Sequence, residues 1–112
     1  MHTPLRQQLL EQVLGVIQLV RPLAEAIARR DRDLASQLRR ALNGVALNVA
    51  EGFGTRAGNA RLRFESARGS LYETGAAIRV ASAWGFISEE QANSVLGAID
   101  HLAARIFGLS RR

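Results

Sequence analysis

Arginine supplies every basic side chain of this sequence: fifteen residues, with no lysine among them. Each is a planar, permanently charged fork of N–H donors, matched to the oxygens of phosphate or carboxylate. Nine lie between Arg29 and Arg68 against four acids, a local charge of +5, whereas residues 1–28, 69–88 and 89–112 each balance. Positive charge confined to one segment points to an anionic partner. Two polar pairs stand nearby at i, i+3 spacing: Asn48 with Glu51, beside Gly52, and Ser70 with Glu73. In a structural reading, an Arg40–Glu73 or Arg68–Glu51 bridge holds two helices together and Asn48 bonds to neighbouring backbone. Small Gly44 and Gly69 would then permit the close approach that satisfies every polar atom. In a functional reading, the arginines outside such bridges face a phosphate backbone. Arg61, Arg68 and Arg79 fall within about 20° of one another on a helical wheel. Arg56 and Arg63 sit by the adjoining loop, and Arg39 completes the set of candidate phosphate contacts. No aromatic platform or groove-reading helix is legible beside them.

Other chemistries lack their parts. Cysteine is absent, which removes disulfides, thiol nucleophiles and thiolate metal sites. A di-metal carboxylate centre in a helical bundle needs Glu-x-x-His pairs, and the histidines are His2 and His101 alone. His101 lies opposite the apolar stripe of its helix, where a solvated side chain is expected. Glu89 and Glu90 are adjacent rather than convergent, and their place in a first helical turn accounts for them. The glycines from Gly52 to Gly58 do not lead into Gly-Lys-Ser/Thr, so no phosphate-binding loop is present. Ser70 has no base within the pattern. The expectation is a protein without enzymatic activity, metal or cofactor.

The elements that must position these residues are helices. Thr3 followed by Pro4 reads as a cap and first helical position. Leu9, Val13, Val16, Ile17, Val20, Ala24 and Ile27 then recur at helical spacing. Pro22 removes a backbone bond to Gln18, so a kink or break is expected there. A second helix starts near Asp31 or Asp33 and carries Leu34, Leu38, Leu42, Val45, Val49 and Phe53 on one face. The glycine-rich run from Gly52 to Gly58 ends it, and Asn59 is expected to cap a third helix. That helix has the seam Ala60, Phe64, Ala67, Leu71, Thr74, Ile78 and Ala81, and Gly85 closes it in a left-handed conformation. Ser88 and Gln91 frame a capping box for a fourth helix, whose stripe is Ala92, Val95, Leu96, Ile99, Leu102, Ala103 and Ile106. Spans of about 4–29, 33–54, 59–84 and 88–109 follow. The whole of residues 1–112 forms one all-α domain, an antiparallel up-down four-helix bundle. No apolar run approaches the ~20 residues a bilayer requires, and the expected location is the cytoplasm.

Two outward faces are unusually apolar. Gly69, Tyr72, Ala76, Val80 and Ala83 form a strip opposite the third helix's seam, and Leu47 projects away from the second helix's seam. Either the core face is wide, or Leu47, Tyr72, Ala76 and Val80 form a subunit contact in a homo-oligomer. The fourth helix shows no such second face.

The run from Gln37 to Ala41, the Asn-Val-Ala-Glu-Gly block from Asn48 to Gly52, Arg63-Phe64, and the stretch from Ala67 through Gly69 and Ser70 to Glu73 together resemble the "four helix bundle protein" family. Its members are often labelled 23S rRNA-intervening sequence proteins. Phe86-Ile87-Ser88-Glu89 also matches the family's opening of the fourth helix. The pattern covers most of residues 34–90. The chain departs from it at the N-terminus, which lacks the aromatic-rich opening, and around Pro22. The resemblance implies a bundle assembled into a ring, typically a homopentamer. It also implies kinship with the accessory variability determinant protein of diversity-generating retroelements, which is basic and works with a reverse transcriptase and RNA.

Three roles stay open on the sequence. The arginine-rich surface binds structured RNA by shape and charge. Alternatively, the chain is a scaffold for an acidic protein partner such as a reverse transcriptase. In the third, the arginines form interchain salt bridges in an obligate oligomer.

Overall fold

The computed structural model describes residues 4–111. Four helices, α1 (Leu5–Ala28), α2 (Arg32–Phe53), α3 (Ala57–Ala83) and α4 (Glu89–Ser110), account for almost all of them, and no strand occurs among the described residues. Each helix packs on the next, and α1 also touches α4. At 1.5 Å per residue, α3 alone spans about 40 Å, which matches the 42 Å long dimension of the molecule.

The helix signals act locally. Asp31 is the cap of α2, its carboxylate accepting from the Leu34 N–H at 2.9 Å. Ser88 and Gln91 form the reciprocal capping box of α4, with bonds of 2.8 and 3.0 Å. Gly85, at φ 78°, ends α3. The Phe86 N–H bonds back to the Ala81 carbonyl and the Gly85 N–H to that of Ser82, each at 2.9 Å. These two bonds make a Schellman motif, which needs a residue at ease with positive φ.

Two local expectations are revised, the break at Pro22 and the cap at Asn59. The helix runs unbroken through Pro22. Pro22 and Gln18 are both exposed, so the carbonyl that loses its partner turns to water and the proline ring meets no neighbouring helix. Asn59 does not cap α3. That helix starts two residues earlier, with Arg56 at the cap position making no side-chain bond, because Gly54 to Arg56 suffice to redirect the chain. The capping role expected of Thr3 lies outside the described residues; Pro4 stands at the cap position, its carbonyl accepting from Gln7 and Gln8.

The predicted seams meet in one core. Leu38, Val45, Leu71 and Ile78 are fully buried and Ile99 nearly so, and truncating such a residue to Ala costs about 2–5 kcal/mol. Thr74, buried in the α3 seam, satisfies its hydroxyl by donating to the Ser70 carbonyl at 2.9 Å. The wide-core alternative is excluded for this chain: Leu47, Tyr72, Ala76 and Val80 all face outward, Leu47 being 64% exposed. Their apolar surface is exposed, apart from Arg68 lying over the Tyr72 ring.

Candidate nucleic-acid interface

The polar block from Asn48 to Gly52 lies along the line where α2 meets α3. A side chain at Gly52 would stand 2.6 Å from the Phe64 ring, and one at Gly44 would stand 3.1 Å from Ser70 Oγ. Phe64 is itself held edge-on against Phe53, with centroids 5.2 Å apart. At Gly52 α3 comes too close to α2 for a Cβ, and at Gly44 a Cβ fits only if the Ser70 hydroxyl gives way slightly. Asn48 Nδ2 donates to the Gly44 carbonyl at 2.9 Å, one turn back on its own helix. At Gly69, by contrast, a Cβ meets open space, so the close approach expected there does not occur.

The ion pairs differ from those the sequence suggests. Glu51 pairs with Arg63 at 3.1 Å, not with Arg68. Arg40 shares a shallow hollow with Gln37, Ser70 and Glu73, yet its guanidinium donates to Ser36 Oγ at 3.1 Å and makes no bridge to Glu73. Arg40 and Glu73 are both exposed, where Coulomb attraction barely offsets the entropy of fixing two long side chains.

Tertiary packing also redistributes the charge. Arg29, Arg30 and Arg32 lie at the α1–α2 connection, and the Arg30 guanidinium sits 5.4 Å from the centroid of Phe86 in the α3–α4 connection. Phe86 stacks on Trp84, which is 70% exposed. Asp31 and Asp33, with Glu89 and Glu90 in the first turn of α4, offset the three arginines there. Arg39 sits apart, in a groove between α1 and α2 beside Arg21, Glu25 and Asn43. Along α2 it is about 20 Å from Phe53.

The opposite balance holds where the first turns of α1, the last turns of α2 and α4, and the start of α3 come together. Arg6 shares a hollow with Val49, Phe53 and Gly54, and Arg105 donates to Gln12 across the α1–α4 contact. Arg56, Arg61 and Arg63 follow directly from the α2–α3 connection. Arg68 of α3 and Arg111 beyond α4 both lie over the Phe107 ring, at 4.5 and 5.4 Å from its centroid. The acids near these arginines along the helices are Glu11, Glu51, Glu65, Glu73 and Asp100; Glu51 is engaged by Arg63, and Asp100 shares a hollow with Tyr72. Of the five predicted phosphate contacts, Arg56, Arg61, Arg63 and Arg68 lie on the first half of α3 and its cap, Arg63 turned toward α2 and Arg68 toward α4, while Arg39 is set apart. The fold adds Arg6, Arg105 and Arg111, which linear charge counting placed in balanced segments. It also supplies aromatic rings the sequence reading did not connect to them, because Phe107 and Arg68 stand 39 positions apart.

No helix of the described residues is long and apolar enough to cross a membrane, and no metal-binding cluster of His, Cys, Asp or Glu occurs among them. No curated protein matches the chain. The family model described as "23S rRNA-intervening sequence protein" matches residues 7–108, essentially the whole bundle, and the chain belongs to that family.

Proposed function

We propose that this protein is a non-enzymatic, cytoplasmic RNA-binding bundle that contacts phosphates through the arginine-rich end described above. One observation carries the reading: seven arginines from α1, α3, α4 and their flanking turns lie toward one end of the bundle, against five acids, Glu11, Glu51, Glu65, Glu73 and Asp100. Of the seven, Arg63 is ion-paired among the described residues. A concentration of unneutralised guanidiniums of this kind attracts a polyanion and releases its counterions on binding. Nothing there presents a helix shaped to read a groove, so shape and charge determine recognition. The short connections and the sequential packing of the helices support an antiparallel up-down arrangement.

The reading includes self-assembly. Leu47, Tyr72, Ala76 and Val80 leave an apolar outer face on α2 and α3, and small residues there let neighbouring chains approach closely. A homo-oligomeric ring, pentameric in the manner the family resemblance implies, covers that face and multiplies the phosphate contacts of one protomer.

Fluorescence anisotropy with labelled RNA tests the binding. Affinity should fall with salt at a log–log slope of about −0.7 per contacted phosphate on a single strand. Arg56→Gln with Arg61→Gln should flatten that slope for all sequences alike, while Arg39→Gln leaves it unchanged. Salt-independent binding, or no RNA binding, turns the function to a protein partner such as a reverse transcriptase.

A further inference from the structure

Arg68 is the one arginine of the basic end that is half-buried with both its charge and its N–H donors unanswered. Its guanidinium carbon lies over the Phe107 ring, 4.5 Å from the centroid, and 5.7 Å from the Tyr72 centroid. No carboxylate or hydrogen-bond acceptor reaches it among the described residues. Stacking on a ring occupies a face of the guanidinium plane and leaves its in-plane N–H edges for an acceptor. The rings also restrict its rotamers, so less entropy is lost when an anion arrives. Arg111 lies over the same Phe107 ring at 5.4 Å. Two like charges sharing one ring repel each other, and an anion between or beside them removes that repulsion.

The rings are themselves accessible. Tyr72 is 59% and Phe107 42% exposed, so each offers π surface next to the two cations. Aromatic surface interleaved with phosphate-binding forks is the arrangement that holds unpaired nucleotides, whose bases stack while their phosphates are neutralised. A duplex presents its phosphates but keeps its bases stacked within. The aromatic stack at the other end, Trp84 on Phe86 with Arg30 over it, lies at helix ends that also carry Asp31, Asp33, Glu89 and Glu90.

We propose that Tyr72, Arg68, Phe107 and Arg111 form a clamp for a single-stranded stretch of RNA, with phosphates on the two guanidiniums and a base on the exposed aromatic surface. The proposal rests on the RNA reading above and narrows it to unpaired nucleotides. It places Tyr72 at the rim of the subunit face, one turn from Ala76, with its ring open to the ligand rather than covered by the neighbouring chain.

The test compares an oligouridylate of about 12 nucleotides with an RNA duplex of equal length and with inorganic polyphosphate. Each is titrated against the full chain by anisotropy or competition at fixed salt. The wild type should favour the single strand over both other probes. Phe107→Leu should weaken oligouridylate binding about five-fold or more, the lower range for loss of one base–aromatic stack, and leave duplex binding within two-fold (about 0.4 kcal/mol). Arg68→Lys keeps the charge but loses the fork and the stacking. It should weaken single-strand binding similarly while preserving the salt slope. Ultraviolet crosslinking of the bound oligouridylate should label Tyr72, the single tyrosine, and leave Trp84, the single tryptophan, unlabelled. Light scattering on each variant checks that its assembly is that of the wild type. Should a variant fail to fold, crosslinking of the wild type decides the question. Equal binding of strand and duplex, both untouched by Phe107→Leu, overturns the clamp and leaves the RNA reading standing. Absence of binding to either RNA overturns both.

Discussion

Two glycines of this bundle should respond in opposite directions to the same substitution. Gly52→Ala places a Cβ 2.6 Å from Cε1, 2.8 Å from Cζ and 3.0 Å from Cδ1 of Phe64. Phe64 cannot swing aside cheaply: it is 5% exposed and braced edge-on by Phe53. Helix propensity alone would favour Ala by about 0.5–1 kcal/mol. Forcing a methyl into a filled contact costs roughly 1–3 kcal/mol, and a contact this short with a braced ring belongs at the upper end. The net expectation is a loss of about 1–2 kcal/mol, the difference between those two effects. Gly69→Ala meets nothing within 4 Å, so the propensity gain should appear unopposed, at about 0.4–1 kcal/mol. Urea unfolding followed by circular dichroism measures both, and Phe64→Leu supplies the double-mutant cycle. In the Phe64→Leu background the Gly52→Ala penalty should shrink by about 0.5 kcal/mol or more, the scale of coupling between touching residues. If Gly52→Ala stabilises as Gly69→Ala does, α2 and α3 are not in the close contact described, and the structural account of the Asn48–Gly52 block fails.

Two further tests address the remaining features. Pro22→Ala restores an N–H donor in an exposed stretch of continuous helix and should raise stability by about 1–3 kcal/mol, read as a shift in urea midpoint; a loss would mean that the proline shapes α1 for packing. Leu47→Glu with Ala76→Glu should reduce the mass found by light scattering, since both positions face outward and burying unpaired carboxylates in a subunit contact is costly. An unchanged mass returns those residues to the free surface, and a monomeric wild type at micromolar concentration removes the ring.

The sequence alone determined the helices and their inward faces. Caps such as Asp31 and Ser88, the left-handed stop at Gly85, and the stripes from Leu9 to Ile106 depend on residues three or four positions apart, so a linear reading contains all that fixes them. The Asn59 cap, and the break that is one of the two outcomes expected at Pro22, fail where the outcome depends on surroundings: how few residues redirect the chain before α3, and whether a freed carbonyl meets water or a neighbouring helix. The site was far less legible. Which side chains meet across helices follows from their relative rotation and axial register, and no local pattern encodes either. Only the tertiary structure pairs Glu51 with Arg63, lays Arg68 and Arg111 over Phe107, and sets Arg39 in a separate groove. A charge that looks like one segment in sequence becomes two end groups separated by roughly 30 Å, the length of α2, with Arg39 and Arg40 between them. One end group is offset by acids from α2 and α4, and the other is reinforced by arginines from α1 and α4. Electrostatic potential depends on distance in space, and folding brings together charges that the chain order separates.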